Sequence, residues 1–322
     1  MKNHELRDIF VLHLGDQLLL DSERGNMEGV EYRNPGPRIV GSCNGILCME
    51  NKGRINLWNF SVRRKLTLPS YPSFRGSKKE PYVAFGFGFD SITDDYKIVR
   101  ISYSKDKDIF DNINACIYSL KTDSWNVIAS PTSLLGFVDR NACFFNGTLH
   151  WVVYSKYGDR QSLSIMTFSL TTHVFGSFEF PQYSGRFEHV HRELKIINGS
   201  LALTSQSPKE DTCIWVMREY ANVETWSEIY ILETEKLDQA KVLQPITNGD
   251  LLIYDARCFD QCYVYNRKIR LLKIYLEFES LKFQDVKSDF IVMERYVESL
   301  ELLDRGIRCG ETRLLLVEKD ES

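Results

Sequence analysis

Short apolar runs alternate with turn-forming residues along most of the chain. Four of these runs follow the dipeptide Asn-Gly, at Asn44-Gly45, Asn146-Gly147, Asn198-Gly199 and Asn248-Gly249. This dipeptide is typical of two-residue hairpin turns, because both of its positions adopt positive φ at little cost. Each site therefore predicts a β-hairpin in which the Asn is a structural turn residue and the Gly has a positive φ.

The spacing of these hairpins indicates an internal repeat. The glycines stand at positions 45, 147, 199 and 249, which corresponds to a period of about 50 residues with one member missing. The missing turn is expected within residues 90–95, directly after the apolar run 85–89. Trp125, Phe175 and Trp226 recur at the same interval, so two unrelated residue types share one period.

Each repeat contains enough short apolar runs for four strands, as in 143–154 and 163–180. Four-stranded units with this period predict an all-β fold, a kelch-like β-propeller of about five to six blades. The alternative is a pair of β-sandwiches, which also use short strands but need no fixed period. A hairpin at 9–20 and a strand-like segment at 290–303 are expected to form a sixth blade that joins the two chain ends.

Charge and composition narrow the functional classes. A formal net charge of −4 gives no general attraction to nucleic acid or to anionic membranes. No apolar run reaches the roughly 18 residues of a membrane-spanning helix. The eight cysteines lie mostly in apolar runs without a secretory signal, which predicts reduced core thiols and a cytoplasmic or nuclear protein.

The sequence offers no strong motif for a cofactor, a metal or catalysis. Gly86 and Gly88 are not followed by the helix of a phosphate-binding loop, so we interpret them as positions of close strand packing. The group most similar to a metal site is interpreted as core thiols and surface histidines: His189, His191, Cys258 and Cys262. The prediction is therefore no cofactor, no metal and no enzyme, with an enzyme that has a cryptic channel site as the alternative. The tryptophans are interpreted as blade-packing residues: Trp58, Trp125, Trp151, Trp215 and Trp226.

Several longer motifs resemble the F-box-associated interaction domain of plant F-box proteins, a family that includes the S-locus F-box proteins of pollen. The matching stretches are IVGSCNGILC at 39–48, LWNFSVRRKLTLP at 57–69, FGFDSITDDYKIVRI at 87–101, IYSLKTDSWNVI at 117–128, NGTLHWV at 146–152 and YVESL at 296–300. The resemblance implies the substrate receptor of a cullin-based ubiquitin ligase, in which an F-box binds a Skp-type adaptor and this domain binds the target protein.

The resemblance also suggests a division of the chain into three parts. Residues 1–37 are expected to form an N-terminal hairpin and loop without an F-box, residues 38–303 the F-box-associated domain, and residues 304–322 a polar tail. A Skp-type adaptor is therefore expected as a partner only where an F-box precedes the domain. A chain without one is expected to act as a scaffold, or as a competitor that shields the target protein.

Strand parity predicts which face of the propeller binds. In a four-stranded antiparallel blade, the first and third turns lie at one end, and the second turn and the connections between blades lie at the other. The longer polar segments fall in the second group: 70–80, 104–112, 155–162, 182–192 and 206–211. Aromatic and arginine side chains in such loops suit protein contacts, and the candidate binding residues are Tyr71, Phe74, Arg75, Tyr157, Arg160, Tyr183 and Arg186.

Overall fold

The computed structural model describes most of the region between residues 12 and 296. The described residues are 12–14, 18–19, 38–51, 53–59, 61–73, 82–106, 109–131, 136–157, 160–180, 191–206, 212–232, 240–245, 250–255, 261–266, 271–277 and 295–296. Their regular secondary structure is β-strand, apart from one 3₁₀ turn at Val223–Thr225. The predicted all-β class is confirmed.

The strands form one small sheet from the two ends of the chain and five antiparallel sheets between them. The N-terminal hairpin has β1 (Leu12–Leu14) and β2 (Leu18–Leu19). Sheet I has β3 (Arg38–Cys43), β4 (Ile46–Asn51), β5 (Arg54–Asn59) and β6 (Arg64–Thr67). Sheet II has β7 (Tyr82–Asp90), β8 (Asp95–Asp106), β9 (Ile109–Ser119) and β10 (Ser124–Ile128).

Sheet III has a first strand that is divided into two described segments. It has β11 (Gly136–Val138) and β12 (Cys143–Phe145), which both pair with β13 (Thr148–Tyr157), followed by β14 (Arg160–Ser169) and β15 (Phe175–Glu179). Sheet IV has β16 (His191–Ile197), β17 (Ser200–Gln206), β18 (Thr212–Met217) and β19 (Trp226–Leu232).

Sheet V has β20 (Ala240–Pro245), β21 (Leu251–Asp255), β22 (Gln261–Asn266) and β23 (Leu271–Glu277). The last described strand, β24 (Arg295–Tyr296), pairs in parallel with β1. The two ends of the chain therefore share one three-stranded sheet, in the order β2-β1-β24.

Successive sheets pack face to face, as the blades of a propeller do. The strands β3, β7, β13, β16 and β20 follow one another as neighbours from sheet to sheet. A separate apolar core lies between each pair of adjacent sheets: Phe87 and Ile98 lie in the core between I and II, Trp151 and Phe168 in that between II and III. Two further cores join sheets III and IV and sheets IV and V. This serial packing is the predicted propeller-like arrangement and not a pair of sandwiches.

The predicted turn chemistry is confirmed where the structure describes it. Asn146 and Asn198 have φ of 49° and 50°, and the following Gly147 and Gly199 have φ of 67° and 74°. Two successive positive φ values define the turn type that matches the right-handed twist of a hairpin. The fourth pair, at 248–249, lies outside the described residues.

Gly86 and Gly88 are positions of close packing, as predicted. A Cβ on Gly86 would lie 2.7 Å from Leu149 and 2.9 Å from Trp151, and a Cβ on Gly88 would lie 2.3 Å from the Phe144 ring. The absence of both side chains therefore lets sheet III approach β7. The five tryptophans belong to strands and contact the apolar cores, which confirms their packing role.

The sequence prediction was wrong about two of the long polar segments. Residues 104–112 and 155–162 were expected to be loops, but strands β8 and β9 pair as far as Asp106 and Ile109, and β13 and β14 as far as Tyr157 and Arg160. The polar composition suggested a loop. A polar segment can form a hairpin as well, because its backbone N–H and C=O groups hydrogen-bond with each other.

Candidate functional site

Two hairpins project from one end of the molecule. The last pair between β7 and β8 is Tyr82 with Tyr103, whereas the β8–β9 ladder continues to Asp106. The second hairpin projects in the same way. The pairing of β11 with β13 ends at Ser155, whereas the β13–β14 ladder continues to Tyr157. This end also carries the connections between sheets, and we call it the hairpin face. The opposite end, with the turns after the first and third strands, is the turn face.

An aromatic patch lies between the bases of the two hairpins. Tyr82 is 48% exposed although it begins a strand. Its ring stacks on Tyr103 with centroids 5.5 Å apart and contacts Phe137 edge-on at 5.3 Å. The Tyr103 hydroxyl accepts a hydrogen bond from the Val138 amide at 3.0 Å, and burial raises the pKa of this tyrosine. An exposed ring held on a rigid aromatic base is a typical anchor for a protein contact.

Charged side chains lie at the hairpin-face end of β3, the first strand of sheet I. Arg38, at the start of β3, lies 3.7 Å from Glu50 and stacks over the Phe85 ring at 5.0 Å. Burial lowers the pKa of Arg38, and Glu50 opposes this effect while Arg140 adds to it. A basic and an acidic side chain, Arg38 and Glu50, therefore lie close together at this end of sheet I.

Of the predicted binding residues, Tyr71 is described in full. It is half-buried between sheets I and II, with its ring 6.1 Å from Phe85 and 5.9 Å from Trp125. The Arg100 guanidinium lies over the same ring, 4.3 Å from its centroid. Tyr71 is therefore packed more tightly than an exposed loop anchor. A contact between Tyr71 and a partner protein stays a prediction.

The other predicted binding residues are only partly placed. Tyr157 and Arg160 are cross-strand partners at the tip of the β13–β14 hairpin, so the fold brings these two together on the hairpin face. The remaining four lie outside the described residues: Phe74, Arg75, Tyr183 and Arg186. The binding role of all six stays a prediction.

The turn face carries a buried ion pair that joins sheets II and III. Lys97 Nζ donates to Asp90 Oδ2 at 2.7 Å and to the carbonyl of Leu170 at 2.8 Å. Thr93 and Thr171 donate their hydroxyls to Asp90 at 2.6 and 2.7 Å. Burial acts to raise the pKa of Asp90, but these hydrogen bonds lower it well below its ordinary value. Every member of this group is satisfied within the chain, which is typical of a structural clamp.

The described residues contain no group of three or more side chains arranged to hold a metal ion. His191 begins β16 and Cys262 lies in β22, which belong to different sheets, and His189 and Cys258 lie outside the described residues. None of the helical turns in the described part is long and apolar enough to span a membrane. Five cysteines are free thiols, of which the first three are buried: Cys43, Cys48, Cys116, Cys143 and Cys213.

Two residues of the hairpin face were missed by the sequence reasoning, Tyr82 and Arg100. Arg100 interrupts the apolar run of β8 at a position that alternation assigns to the core. A charge at such a position is the signal that could have identified it. Tyr82 carried no comparable signal, because an exposed aromatic residue at a strand end is common.

The family model of the F-box associated beta propeller domain matches residues 22–302. The chain therefore belongs to the F-box-associated β-propeller domain family. F-box protein CPR1 of Arabidopsis thaliana is 27% identical over 285 residues, which cover 78% of this chain and 68% of that protein. An F-box/kelch-repeat protein of the same plant is 26% identical over 69% of this chain and 58% of its own length.

The relatives are longer than the segment they share with this chain. The match covers 68%, 58% and 56% of three Arabidopsis thaliana F-box proteins. Among solved structures, polysaccharide lyase Uly1 is similar with a TM-score of 0.42 and 12% identity, over 71% of this chain and 55% of that one.

Proposed function

We propose that this chain is the target-recognition part of an F-box-type ubiquitin ligase subunit and that it binds its target protein through the hairpin face. The observation that carries this proposal is the aromatic patch between the two projecting hairpins. Tyr82 offers an exposed ring on this face, and Tyr103 and Phe137 hold that ring in position. The names of the relatives, all F-box proteins, support the ligase context.

The proposal assigns the two ligase contacts to different parts of the protein. An F-box binds the Skp-type adaptor, and the propeller binds the target in the cytoplasm or the nucleus. Purified 322-residue chain is therefore expected not to capture the adaptor, and a fusion with an F-box from a relative is expected to capture it. Failure of a correctly folded fusion would contradict this assignment.

The hairpin face is tested by affinity capture from plant extract followed by mass spectrometry. Tyr82→Ser is expected to remove the specific target protein from the captured set, because it removes the exposed anchor. Val127→Ser is the matched control, since Val127 is also an exposed apolar residue of sheet II but lies on its outer strand β10. Thermal melting of each variant shows that it is folded.

Two results would overturn the proposal. One is an unchanged captured set for folded Tyr82→Ser. The other is loss of the target on Val127→Ser with retention on Tyr82→Ser, which would move the contact to the outer edge of the sheet.

A further inference from the structure

Within the described part of the chain, Arg100 is a buried charge without an acidic partner. The residue is 6% exposed. Its Nη1 donates to Ser102 Oγ at 3.1 Å, its guanidinium covers the Tyr71 ring, and its Nε is buried without an acceptor in the described part of the chain. An arginine buried to this extent is nearly always paired with a carboxylate or another anion, because desolvation of an unpaired charge is costly.

The neighbours of Arg100 do not neutralise it. Cys116 is its cross-strand partner in β9, and burial raises the pKa of this thiol to about 11, although Arg100 acts to lower it. The thiol is therefore uncharged at physiological pH. Ser102 is neutral as well. No carboxylate of the described residues lies within ion-pair distance of Arg100, whereas Lys97 on the same strand has Asp90 at 2.7 Å.

A second arginine lies beside the same aromatic rings. Arg38 stacks over Phe85, which is the cross-strand partner of Arg100 in β7. The Phe85 ring is in turn 6.1 Å from the Tyr71 ring that Arg100 covers. Arg38 has Glu50 as a distant partner at 3.7 Å, and its Nε is also buried without an acceptor in the described part. Two guanidinium groups with free donor capacity therefore share one aromatic base.

This pair lies at the hairpin-face end of the gap between sheets I and II. The Tyr71 hydroxyl lies 3.4 Å from the place that a Cβ on Gly53 would occupy, and Gly53 is in the turn between β4 and β5. That turn follows the second strand of sheet I, so it belongs to the hairpin face. A protein bound to this face would lie over Arg38 and Arg100.

We propose that Arg38 and Arg100 form a site for an oxyanion, a carboxylate or phosphate group presented by the protein bound to the hairpin face. The inference rests on the proposed function, since it takes the anion from the recognised protein. Arginine suits this role because its planar donors match the oxygens of both groups. The site explains why a charge is kept in the core without a partner: binding supplies the missing counter-ion.

The melting temperature of an Arg100 variant distinguishes an anion-binding role of Arg100 from a purely structural one. Arg100→Met keeps an apolar chain of about the length of the aliphatic part of arginine and removes the guanidinium with its buried charge. If the charge is reserved for a ligand, the melting temperature of the free protein stays the same or rises, because an apolar side chain is less costly there. If Arg100 is a structural element, the melting temperature falls. Lys97→Met is the comparison, and it is expected to lower the melting temperature because it leaves Asp90 unpaired.

The site itself is tested by NMR on the wild-type chain, with inorganic phosphate and sodium acetate as probes. The Nε–Hε signals of Arg100 and Arg38 are assigned from Arg100→Lys and Arg38→Lys. The exposed Arg64 on β6 is the control signal. We expect saturable shifts of the Arg100 and Arg38 signals at anion concentrations that leave Arg64 unchanged. Saturation by phosphate at the lower concentration indicates a phosphorylated target, and saturation by acetate indicates an acidic side chain.

Absence of a saturable shift with either anion, or equal shifts at Arg64, would overturn the proposal. Target capture distinguishes this failure from failure of the proposed function. Folded Arg100→Met is expected to lose at least about tenfold in target binding, the effect of removing one partner of a buried charge pair. If Tyr82→Ser abolishes capture and Arg100→Met does not weaken it, the hairpin face binds the target and the oxyanion site is wrong. If neither variant affects capture, the proposed function itself is wrong.

Discussion

Lys97 and Arg100 lie three positions apart on β8 and are buried to the same extent, at 5% and 6% exposed. Their surroundings are opposite. Lys97, nearer the turn face, donates hydrogen bonds to the Asp90 carboxylate at 2.7 Å and to the Leu170 carbonyl at 2.8 Å. Arg100, nearer the hairpin face, has the Ser102 hydroxyl, the Cys116 thiol and an aromatic ring, and no carboxylate among the described residues.

In our interpretation, a single strand serves two purposes. A buried cation with all its partners fixes one arrangement of the neighbouring sheets, because any other arrangement would leave a charge unpaired. A buried cation without an anion lowers stability, and such a cost is usually found where a residue serves function. We therefore interpret the turn face as the structural end of sheet II, and the hairpin face is the end that we propose for target binding.

The largest effect is expected from Asp90→Ala, which leaves Lys97 buried without its anion. Removing one partner of a buried ion pair typically costs about 3–5 kcal/mol, and the free energy of unfolding is measured by urea denaturation. Asp94→Asn is the control, since Asp94 is an exposed residue of the same turn with φ of 53°, a value that Asn tolerates. A loss below about 1 kcal/mol for Asp90→Ala, the usual value for a single exposed ion pair, would contradict the structural role of the clamp.

The double variant Asp90→Ala with Lys97→Met sharpens this test. Replacing both members of a buried pair by apolar groups is often close to neutral. The double variant is therefore expected to recover much of the stability that Asp90→Ala loses. If the two losses simply add, the ion pair is not the source of the effect.

His150 shows a third way to bury a basic group, which is to keep it neutral. Its Nδ1 lies 3.2 Å from the Cys143 carbonyl, which only accepts, so Nδ1 donates and Nε2 accepts from the Tyr220 hydroxyl at 2.8 Å. Burial lowers the pKa of His150 from 6.5 to about 4, although the hydrogen bond to Cys143 opposes this effect. Protonation therefore favours the unfolded chain.

The stability from His150 is present above pH 6.5 and is lost as the pH falls from 6.5 towards 4. The loss amounts to roughly 3 kcal/mol at most. Urea denaturation at a series of pH values gives the free energy of unfolding of the wild type and of His150→Gln. We expect this free energy to fall more steeply below pH 6.5 in the wild type than in the variant. Parallel stability curves for the two proteins would contradict the prediction.

The smallest effect is expected at a tight turn of the turn face. Gly199→Val places a β-branched residue at φ of 74° and should lower the free energy of unfolding by about 1 kcal/mol or more. Gly41→Val in β3 is the control, because a Cβ at Gly41 meets nothing within 4 Å and Gly41 does not have a positive φ. Equal melting temperatures for wild type and Gly199→Val would rule out strain at this turn.

The repeat and its turns could be predicted from sequence because they depend on local chemistry. Asn146 and Gly147 adopt the expected φ values for reasons contained in the dipeptide itself. The pairing of β1 with β24 was also expected, from strand-like segments at the two ends of the chain. The domain boundaries at 38 and 303 stay predictions.

The candidate site could be predicted only in part, because it depends on contacts between distant segments. Arg100 covers the ring of Tyr71, and Lys97 donates to Leu170, which is 73 residues away. Neither contact follows from periodicity. The length of the β8–β9 hairpin was also missed, since the run SKDKDIFDN resembles a loop in composition although residues 104–106 pair with 109–111 as strands.

Cross-linking mass spectrometry of the chain with its captured target tests the central claim most directly. Lys105 and Lys156 lie in the two projecting hairpins, and Lys121 lies in an exposed turn of the turn face. A lysine-reactive reagent is therefore expected to connect the target to Lys105 and Lys156 and to leave Lys121 unlinked. Cross-links to the target that concentrate on Lys121, with none on either hairpin, would show that the target binds the opposite end of the propeller.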